Sequence, residues 1–200
     1  MARLADPALA VRRRQQILDA AELCFRRRGF HQATMQEICA EARISPGALY
    51  RYFDSKADII AAIAEDKHRA AEAATERAAG EGGLIEALTS LCRNYLADFA
   101  CCEFAPLYAD IVGEAARDPL LRRRLAEIDA HSRACLARGI AAGQARGEVD
   151  PALDPSDAAQ LVMAAIEGVC MRAAMTQFDG GEDSLRVFRA FIARYLAPAS

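Results

Sequence analysis

The sequence predicts an all-α protein, and composition is the first observation that supports this. The 200 residues include 45 Ala and 18 Leu but only 6 Val, 12 Ile and 4 Thr. Alanine and leucine favour helices, whereas β-branched residues favour strands. Breakers rich in glycine, proline and aspartate separate stretches whose apolar residues recur at helical spacing,. We therefore expect about nine helices, and we exclude all-β and doubly wound folds.

Charge is the second observation, because it is distributed unevenly along the chain. The formal net charge is −3 overall. Residues 1–56 nevertheless carry ten Lys and Arg against six Asp and Glu, whereas residues 57–200 carry fifteen against twenty-two. A basic N-terminal part that precedes an acidic remainder predicts two domains, 1–56 and 57–200. The first domain is suited to a polyanionic partner.

The N-terminal helices are predicted from their start and stop signals. They cover residues 7–28, 35–42 and 46–52. Thr34 and Glu37 form a capping box before the second helix. Ser45 before Pro46 supplies an N-cap and then a proline at the first helical position, where the missing N–H costs nothing. These three elements form a compact N-terminal domain.

A long helix follows the N-terminal domain. Ser55 and Asp58 repeat the cap, and no breaker occurs until the glycines of residues 80–83,. Apolar stripes then predict a helix that begins at Leu84 and further helices over 103–116, 119–146, 155–178 and 183–196,. The long helix over 56–79 thus joins the N-terminal domain to a C-terminal helical bundle.

The second and third helices have the pattern of a helix-turn-helix. Both are short and capped, and a three-residue turn separates them. Ile38, Ile44, Leu49 and Phe53 are spaced to face inward. When these four side chains are buried, the small and polar residues of the third helix remain exposed to solvent. A helix of this size enters a DNA major groove, where such residues contact base edges and phosphates.

The segment between Gly29 and Lys56 also carries a longer pattern. It is Gly29-Phe30-x-x-Ala33-Thr34-Met35-x-x-Ile38-x-x-x-Ala42-x-Ile44-Ser45-Pro46-Gly47-Ala48-Leu49-Tyr50-x-Tyr52-Phe53-x-Ser55-Lys56. This pattern resembles the DNA-binding signature of the TetR family of bacterial one-component regulators. The resemblance implies a homodimeric repressor whose two N-terminal domains bind a palindromic double-stranded operator. It also implies a C-terminal bundle that binds a small-molecule effector, which releases the DNA.

The resemblance implies a set of residues that contact DNA. They are Thr34, Ser45, Pro46, Gly47, Ala48, Tyr50, Tyr52 and Lys56, with Tyr52 and Lys56 mainly at phosphates. Arg51 joins them as a basic residue beside the same helix. Arg43 stands where the family usually has Gly, and Cys39 stands where Ala is usual. If the turn needs a positive φ, a residue other than glycine is strained there, so we expect Arg43 to make a contact of its own.

Two further sets of residues are predicted in the C-terminal bundle. A mostly apolar pocket for a hydrophobic effector would be lined by Tyr95, Phe99, Phe104, Tyr108, Cys135, Cys170 and Met171,. The same residues would equally well fill a core. A dimer interface on the last two helices would use Leu161, Ala165, Val169, Arg172, Phe188, Phe191, Ile192 and Tyr195.

Two functions other than a DNA-binding regulator are compatible with parts of the sequence. Cys92, Cys101 and Cys102 could sense an oxidant or a soft metal as thiolates, but no C-x-x-C spacing or histidine set accompanies them. A small helical enzyme or interaction module with a similar head is the other alternative. The sequence has no G-x-S-x-G, H-E-x-x-H or phosphate-binding glycine loop,. We therefore expect no catalysis, no cofactor and no metal.

Location is predicted from the apolar segments of the sequence. No uncharged stretch approaches the roughly 18–20 apolar residues of a membrane span, and residues 1–14 lack an apolar signal core,. The sequence therefore predicts a cytoplasmic protein without a membrane partner.

Overall fold

The protein is described by a computed structural model that covers residues 7–100, 104–175 and 181–198. All regular secondary structure in these ranges is α-helical. The helices are α1 (Pro7–Gln32), α2 (Met35–Glu41), α3 (Pro46–Leu49), α4 (Lys56–Ala100), α5 (Phe104–Ala115), α6 (Pro119–Ala145), α7 (Pro155–Met175) and α8 (Glu182–Tyr195). Gly83 interrupts α4 with φ 80° and ψ 176°. With α4 counted as two segments, the described ranges form nine, and the all-α prediction is confirmed.

Several helix ends differ from the sequence prediction. The glycine-rich stretch before Gly83 stays helical, so the first half of α4 extends to residue 82. The third helix ends at Leu49, three residues early. Residues 50–52 continue it as a turn, in which the Tyr52 N–H donates to the Leu49 carbonyl at 2.8 Å. Gly29, which was predicted to end the first helix, breaks the regular dihedrals of α1 with φ 77°.

The chain divides into two compact units. The first comprises Met1–Asp66 and Pro106–Leu125. Its core includes Ile38, Leu49 and Phe53, as predicted, and Ile44 packs partly buried against it. The same core contains Leu107, Ile111 and Leu121 from α5 and α6. The N-terminal domain predicted over 1–56 therefore shares its apolar core with helices that the sequence assigned to the C-terminal part.

Polar contacts connect α5 and α6 to the N-terminal helices within the first unit. The Phe30 N–H donates to Asp110 Oδ2 at 3.1 Å. A Cβ atom at the neighbouring Gly29 would lie 3.0 Å from the same oxygen, so glycine permits this approach. Asp58, whose carboxylate accepts a hydrogen bond from the hydroxyl of the N-cap residue Ser55, also pairs with Arg124 of α6. These contacts hold the end of α1 and the start of α4 against α5 and α6.

The second unit comprises Lys67–Ala105 and Ala126–Ser200. Its fully buried side chains come from the second half of α4, α6, α7 and α8, and include Leu88, Ile140, Val162, Ile166 and Ile192. Glu148 Oε2 accepts the N–H of Leu84 at 3.2 Å and so caps the second half of α4.

In the described ranges, no helix has both the length and the apolar character that a membrane crossing requires.

Candidate nucleic-acid interface

The capping box predicted at the start of α2 is present. Thr34 Oγ1 accepts the Glu37 N–H at 3.2 Å, and Glu37 Oε2 accepts the Thr34 N–H at 2.9 Å. The backbone hydrogen bond from Thr34 holds the pKa of Glu37 below its usual value, and the Arg28 charge acts in the same direction. Thr34 is exposed, but its hydroxyl is committed to the cap. A phosphate at this end of α2 would therefore meet its free backbone N–H groups.

Helix α3 presents its N-terminal residues to solvent. Ser45 Oγ accepts the Ala48 N–H at 3.2 Å, and Pro46 occupies the first helical position. An added Cβ at Gly47 would meet no atom within 4 Å. The two predicted contact residues that follow α3, Tyr50 and Arg51, are exposed. The start and the end of α3 are therefore both accessible to a partner.

The turn between α2 and α3 contains a strained residue. Arg43 has φ 52°, and in the described ranges no other residue besides glycine has a positive φ. The Arg43 N–H donates to the Ala40 carbonyl at 3.1 Å, and the Ile44 N–H donates to the Cys39 carbonyl at 3.0 Å. This pair of bonds is a Schellman motif, whose left-handed position is usually glycine. Arg43 is exposed, so its side chain projects into solvent from that position.

Two of the predicted contact residues also have structural roles. Lys56 Nζ donates to the carbonyls of Phe30 at 2.7 Å and His31 at 3.1 Å, and lies 4.9 Å from the centre of the Phe30 ring. Burial lowers the pKa of Lys56, although nearby carboxylates oppose the shift. An ammonium has three N–H donors, so one donor remains for a phosphate. Tyr52 is half-buried against the core of the first unit.

Much of the positive charge of the N-terminal helices is compensated within the first unit. The ion pairs are Arg14–Asp66 at 3.1 Å, Arg27–Glu41 at 3.0 Å and Arg28–Glu37 at 3.0 Å. Arg43 and Arg51 have no ion-pair partner among the residues that the structure describes. These two arginines precede and follow α3. Arg12 and Arg13 of α1 also lack an ion pair among the described residues, so uncompensated positive charge lies both at the start of α1 and beside the helix that the sequence assigned to the major groove.

The residues predicted to line a pocket are divided between the two units. Tyr95, Cys135, Cys170 and Met171 belong to the second unit, whereas Tyr108 belongs to the first. Of the second-unit residues, Cys170 is fully buried and the other three are half-buried. The side chains of two further residues predicted for the pocket, Phe99 and Phe104, lie outside what the structure describes. The pocket set therefore stays a prediction.

The second unit contains a hydrogen-bonded cluster that the sequence analysis missed. Tyr95 Oη and Ser132 Oγ lie 3.1 and 3.0 Å from Nδ1 of His68. Of these three residues, the sequence singled out only Tyr95 for the pocket. The three are far apart in sequence, so no local spacing signals that they meet.

The cysteines predicted as possible sensors are only partly described. Burial raises the pKa of the Cys92 thiol to about 12, and a thiol in this state does not form the reactive thiolate near neutral pH. Cys101 and Cys102 lie outside the described residues. Within the described part of the chain, no group of three potential metal-ligating side chains is present.

The predicted dimer residues separate into exposed and buried sets. Leu161, Arg172 and Phe191 are exposed, and Ala165, Val169 and Tyr195 are half-buried. Phe188 and Ile192 are instead buried in the core of their own chain, with 2% and 0% exposure. Their inclusion in the interface is corrected accordingly, because the stripe on α8 is wide enough to serve both the core and a solvent-facing edge.

Comparison with known proteins agrees with this geometry. Residues 17–63 match the family described as "Bacterial regulatory proteins, tetR family", and residues 84–197 match "BetI-type transcriptional repressor, C-terminal". The chain is 30% identical to the HTH-type transcriptional regulator UidR of Escherichia coli over 160 residues, covering 78% of this chain and 79% of UidR. It is 29% identical to the repressor AcnR of Corynebacterium glutamicum over 141 residues, covering 68% and 70%.

Among solved structures, Salmonella enterica GusR superimposes with a TM-score of 0.79 and 27% identity. The match covers 96% of this chain and 98% of that one. A TetR-family regulator from Rhodococcus gives a TM-score of 0.80 at 24% identity, covering 92% and 98%, and shows the fold alone. Together with the two family matches, these relatives show that the chain belongs to the TetR family and is a ligand-responsive, DNA-binding transcriptional repressor.

Proposed function

We propose that the protein binds a palindromic operator with α3 of each protomer in a major groove. The exposed N-terminal residues of α3 and the two uncompensated arginines beside it carry this proposal. The open space at Gly47 allows the backbone to approach a base edge or a sugar,. The proposed contacts are Thr34, Arg43, Ser45, Pro46, Gly47, Ala48, Tyr50, Arg51, Tyr52 and Lys56.

We propose that two protomers associate through α7 and α8, in keeping with the dimers typical of the family. Large apolar side chains on these helices are exposed, namely Leu161 at 51%, Met175 at 77%, Val187 at 56% and Phe191 at 46%. Phe191 also stacks on Tyr195 with ring centres 5.9 Å apart. A group of exposed apolar side chains on two consecutive helices supports a surface that a partner covers.

Gly168 supports the same interface. It lies inside α7, where glycine costs a helix about 1 kcal/mol relative to alanine. An added Cβ would meet no atom within 4 Å in its own chain, so internal packing does not require glycine here. Glycine would be required if a second copy of α7 crossed close to this position, because only a residue without a Cβ lets the two helix backbones approach so closely.

We propose that a small-molecule effector binds in the second unit and releases the operator. It is sufficient that the effector favours a conformation with lower operator affinity, and a coupling free energy of about 1–3 kcal/mol between two such sites is typical.

TetR-family members are transcriptional regulators, which are not enzymes, and we propose that this chain catalyses no reaction. Because it acts on DNA, we place it in the cytoplasm.

The test of this function is binding to a palindrome from the protein's own upstream region. Affinity is measured by fluorescence anisotropy at several salt concentrations, and stoichiometry by sedimentation. We expect two protomers per palindrome and an affinity that falls steeply with salt.

A matched pair of variants tests whether the DNA contacts lie beside α3. Arg51→Ala removes an exposed arginine beside α3, and Arg123→Ala removes an exposed arginine from α6. We expect only the first variant to weaken binding. Equal losses in both variants, or a protein that does not bind any duplex at low salt, would contradict the proposed contacts.

A further inference from the structure

Three polar side chains from separate helical segments meet inside the second unit. His68 comes from the first half of α4, Tyr95 from the second half and Ser132 from α6. Tyr95 Oη lies 3.1 Å from Nδ1 of His68, and Ser132 Oγ lies 3.0 Å from the same nitrogen. We call these three residues the polar cluster.

The burial of the polar cluster distinguishes it from ordinary core packing. Ser132 is only 7% exposed, whereas His68 and Tyr95 are half-buried. Thr89 is the other polar side chain that is buried in the described ranges, and its hydroxyl donates to the Ile85 carbonyl of its own helix at 2.7 Å. Thr89 therefore needs no partner from another helix, unlike Ser132.

A purely structural core does not require such a cluster. Burying hydroxyl and imidazole groups costs free energy unless hydrogen bonds replace the water that they lose. Apolar side chains of similar size would fill the same space without that cost. Polar groups that converge from several elements, and that remain partly accessible, are typical of a ligand site.

Buried apolar residues lie near the polar cluster on the same helices. Cys92 lies one helical turn before Tyr95, and Leu136 lies one turn after Ser132; both are buried,. Cys170 of α7 is also fully buried. A ligand that contacts the polar cluster would therefore have buried apolar side chains close by.

The second unit carries a net negative charge, and two of its carboxylates lie on the helices that surround the polar cluster, Asp129 one turn before Ser132 and Glu167 one turn before Cys170. The second unit carries eleven Lys and Arg against sixteen Asp and Glu. Desolvation and the charge of Asp129 raise the pKa of Glu167. Burial raises the pKa of Cys170 to about 12, and Glu167 contributes to that shift. Arg133 pairs with Asp129 at 2.8 Å and compensates part of this charge. A further carboxylate entering this region would meet repulsion.

We propose that His68, Tyr95 and Ser132 bind the hydrogen-bonding end of the effector, a mostly apolar molecule whose polar end is a hydroxyl or an ammonium rather than a carboxylate. This inference rests on the proposed effector-binding function. It specifies the class of ligand and the three side chains that recognise it. A hydroxyl or ammonium donates to the oxygen or nitrogen atoms of the cluster and adds no negative charge.

The experiment uses the full chain and follows its histidines by NMR. The sequence contains three, His31, His68 and His131, and single His→Gln variants assign their imidazole signals. The probes are cyclohexanol, cyclohexylamine and cyclohexanecarboxylate, which share one ring and differ in the polar group. We expect the first two to shift the His68 signal saturably and the carboxylate not to shift it. The other two histidines serve as internal references.

Two variants test the cluster itself. Tyr95→Phe and Ser132→Ala each remove one hydroxyl, and each should weaken cyclohexanol binding about three- to tenfold, as expected for one neutral hydrogen bond. Thr89→Val removes a buried hydroxyl outside the cluster and should leave binding unchanged. Tyr95 is half-buried, so Tyr95→Phe is tolerated even if Ser132→Ala does not fold.

Four results would overturn the proposal. They are a carboxylate response equal to that of the alcohol, no response to any probe, unchanged binding in both cluster variants, or an equal loss in Thr89→Val. Operator binding is measured on the same samples without probe. If the protein without probe does not bind the operator, the proposed recognition of the palindrome is refuted, whereas the His68 response alone decides the proposed ligand class.

Discussion

Arg43→Gly should stabilise the protein. Arg43 occupies the left-handed position of the Schellman motif with φ 52°, a conformation that costs a side-chain-bearing residue about 1–2 kcal/mol. Glycine removes that cost but gains unfolded-state freedom, which offsets about 0.5–1 kcal/mol. The exposed Arg43 side chain has no ion pair to lose among the described residues. The net expectation is a gain of about 0.5–1 kcal/mol.

Thermal unfolding measures this gain. For a protein of this length, a change of 1 kcal/mol corresponds to about 2–4 °C in Tm, so a gain of about 0.5–1 kcal/mol should raise the Tm of Arg43→Gly by about 1–4 °C. Arg43→Lys keeps both the strain and the charge and should melt like the parent protein. An unchanged or lower Tm for the glycine variant would refute the assignment of backbone strain to this turn.

The same substitution should weaken operator binding, in the direction opposite to its effect on stability. Removing one phosphate contact lowers the slope of log K against log salt by about 0.9 for each protomer. Arg43→Ala separates the two effects, because alanine keeps the left-handed strain but carries no charge, so it should weaken operator binding without raising the Tm. Unchanged affinity and slope in both variants would show that Arg43 does not contact DNA. A gain in stability with a loss of binding cannot be explained by misfolding.

Three further predictions concern other parts of the molecule. Gly168→Glu should dissociate the dimer in sedimentation experiments without lowering monomer stability, since the position is open within its own chain; a stable dimer would exclude this face. Lys56→Ala should lower stability by about 1 kcal/mol through loss of its hydrogen bonds to two carbonyls,, and should reduce the salt slope of operator binding by about one for each protomer. The lowered pKa of Glu37 stabilises the fold above its unfolded pKa of about 4.3. This contribution is lost as pH falls through the lower folded pKa, so Glu37→Gln should reduce the acid sensitivity seen in melts between pH 7 and pH 3, and equal sensitivity would argue against the cap.

The sequence by itself determined the local structure of the N-terminal helices. Thr34 with Glu37, and Ser45 with Pro46, act over three residues or fewer, so their hydrogen bonds and dihedral preferences are encoded in adjacent positions,. The inward spacing of Ile38 and similar residues follows from helical periodicity alone. These local rules sufficed to predict the helix-turn-helix and the all-α class.

Only the tertiary structure decided which side chains meet across helices. His68 and Ser132 are separated by 64 positions, and their contact depends on how α4 and α6 are rotated and spaced. Periodicity predicts which face of a helix is apolar, but it does not predict the neighbour of that face. Phe188 and Ile192 were therefore assigned to a partner rather than to their own core, and the contribution of α5 to the N-terminal core was missed. Such contacts are set by packing of whole helices, which no short stretch of sequence specifies.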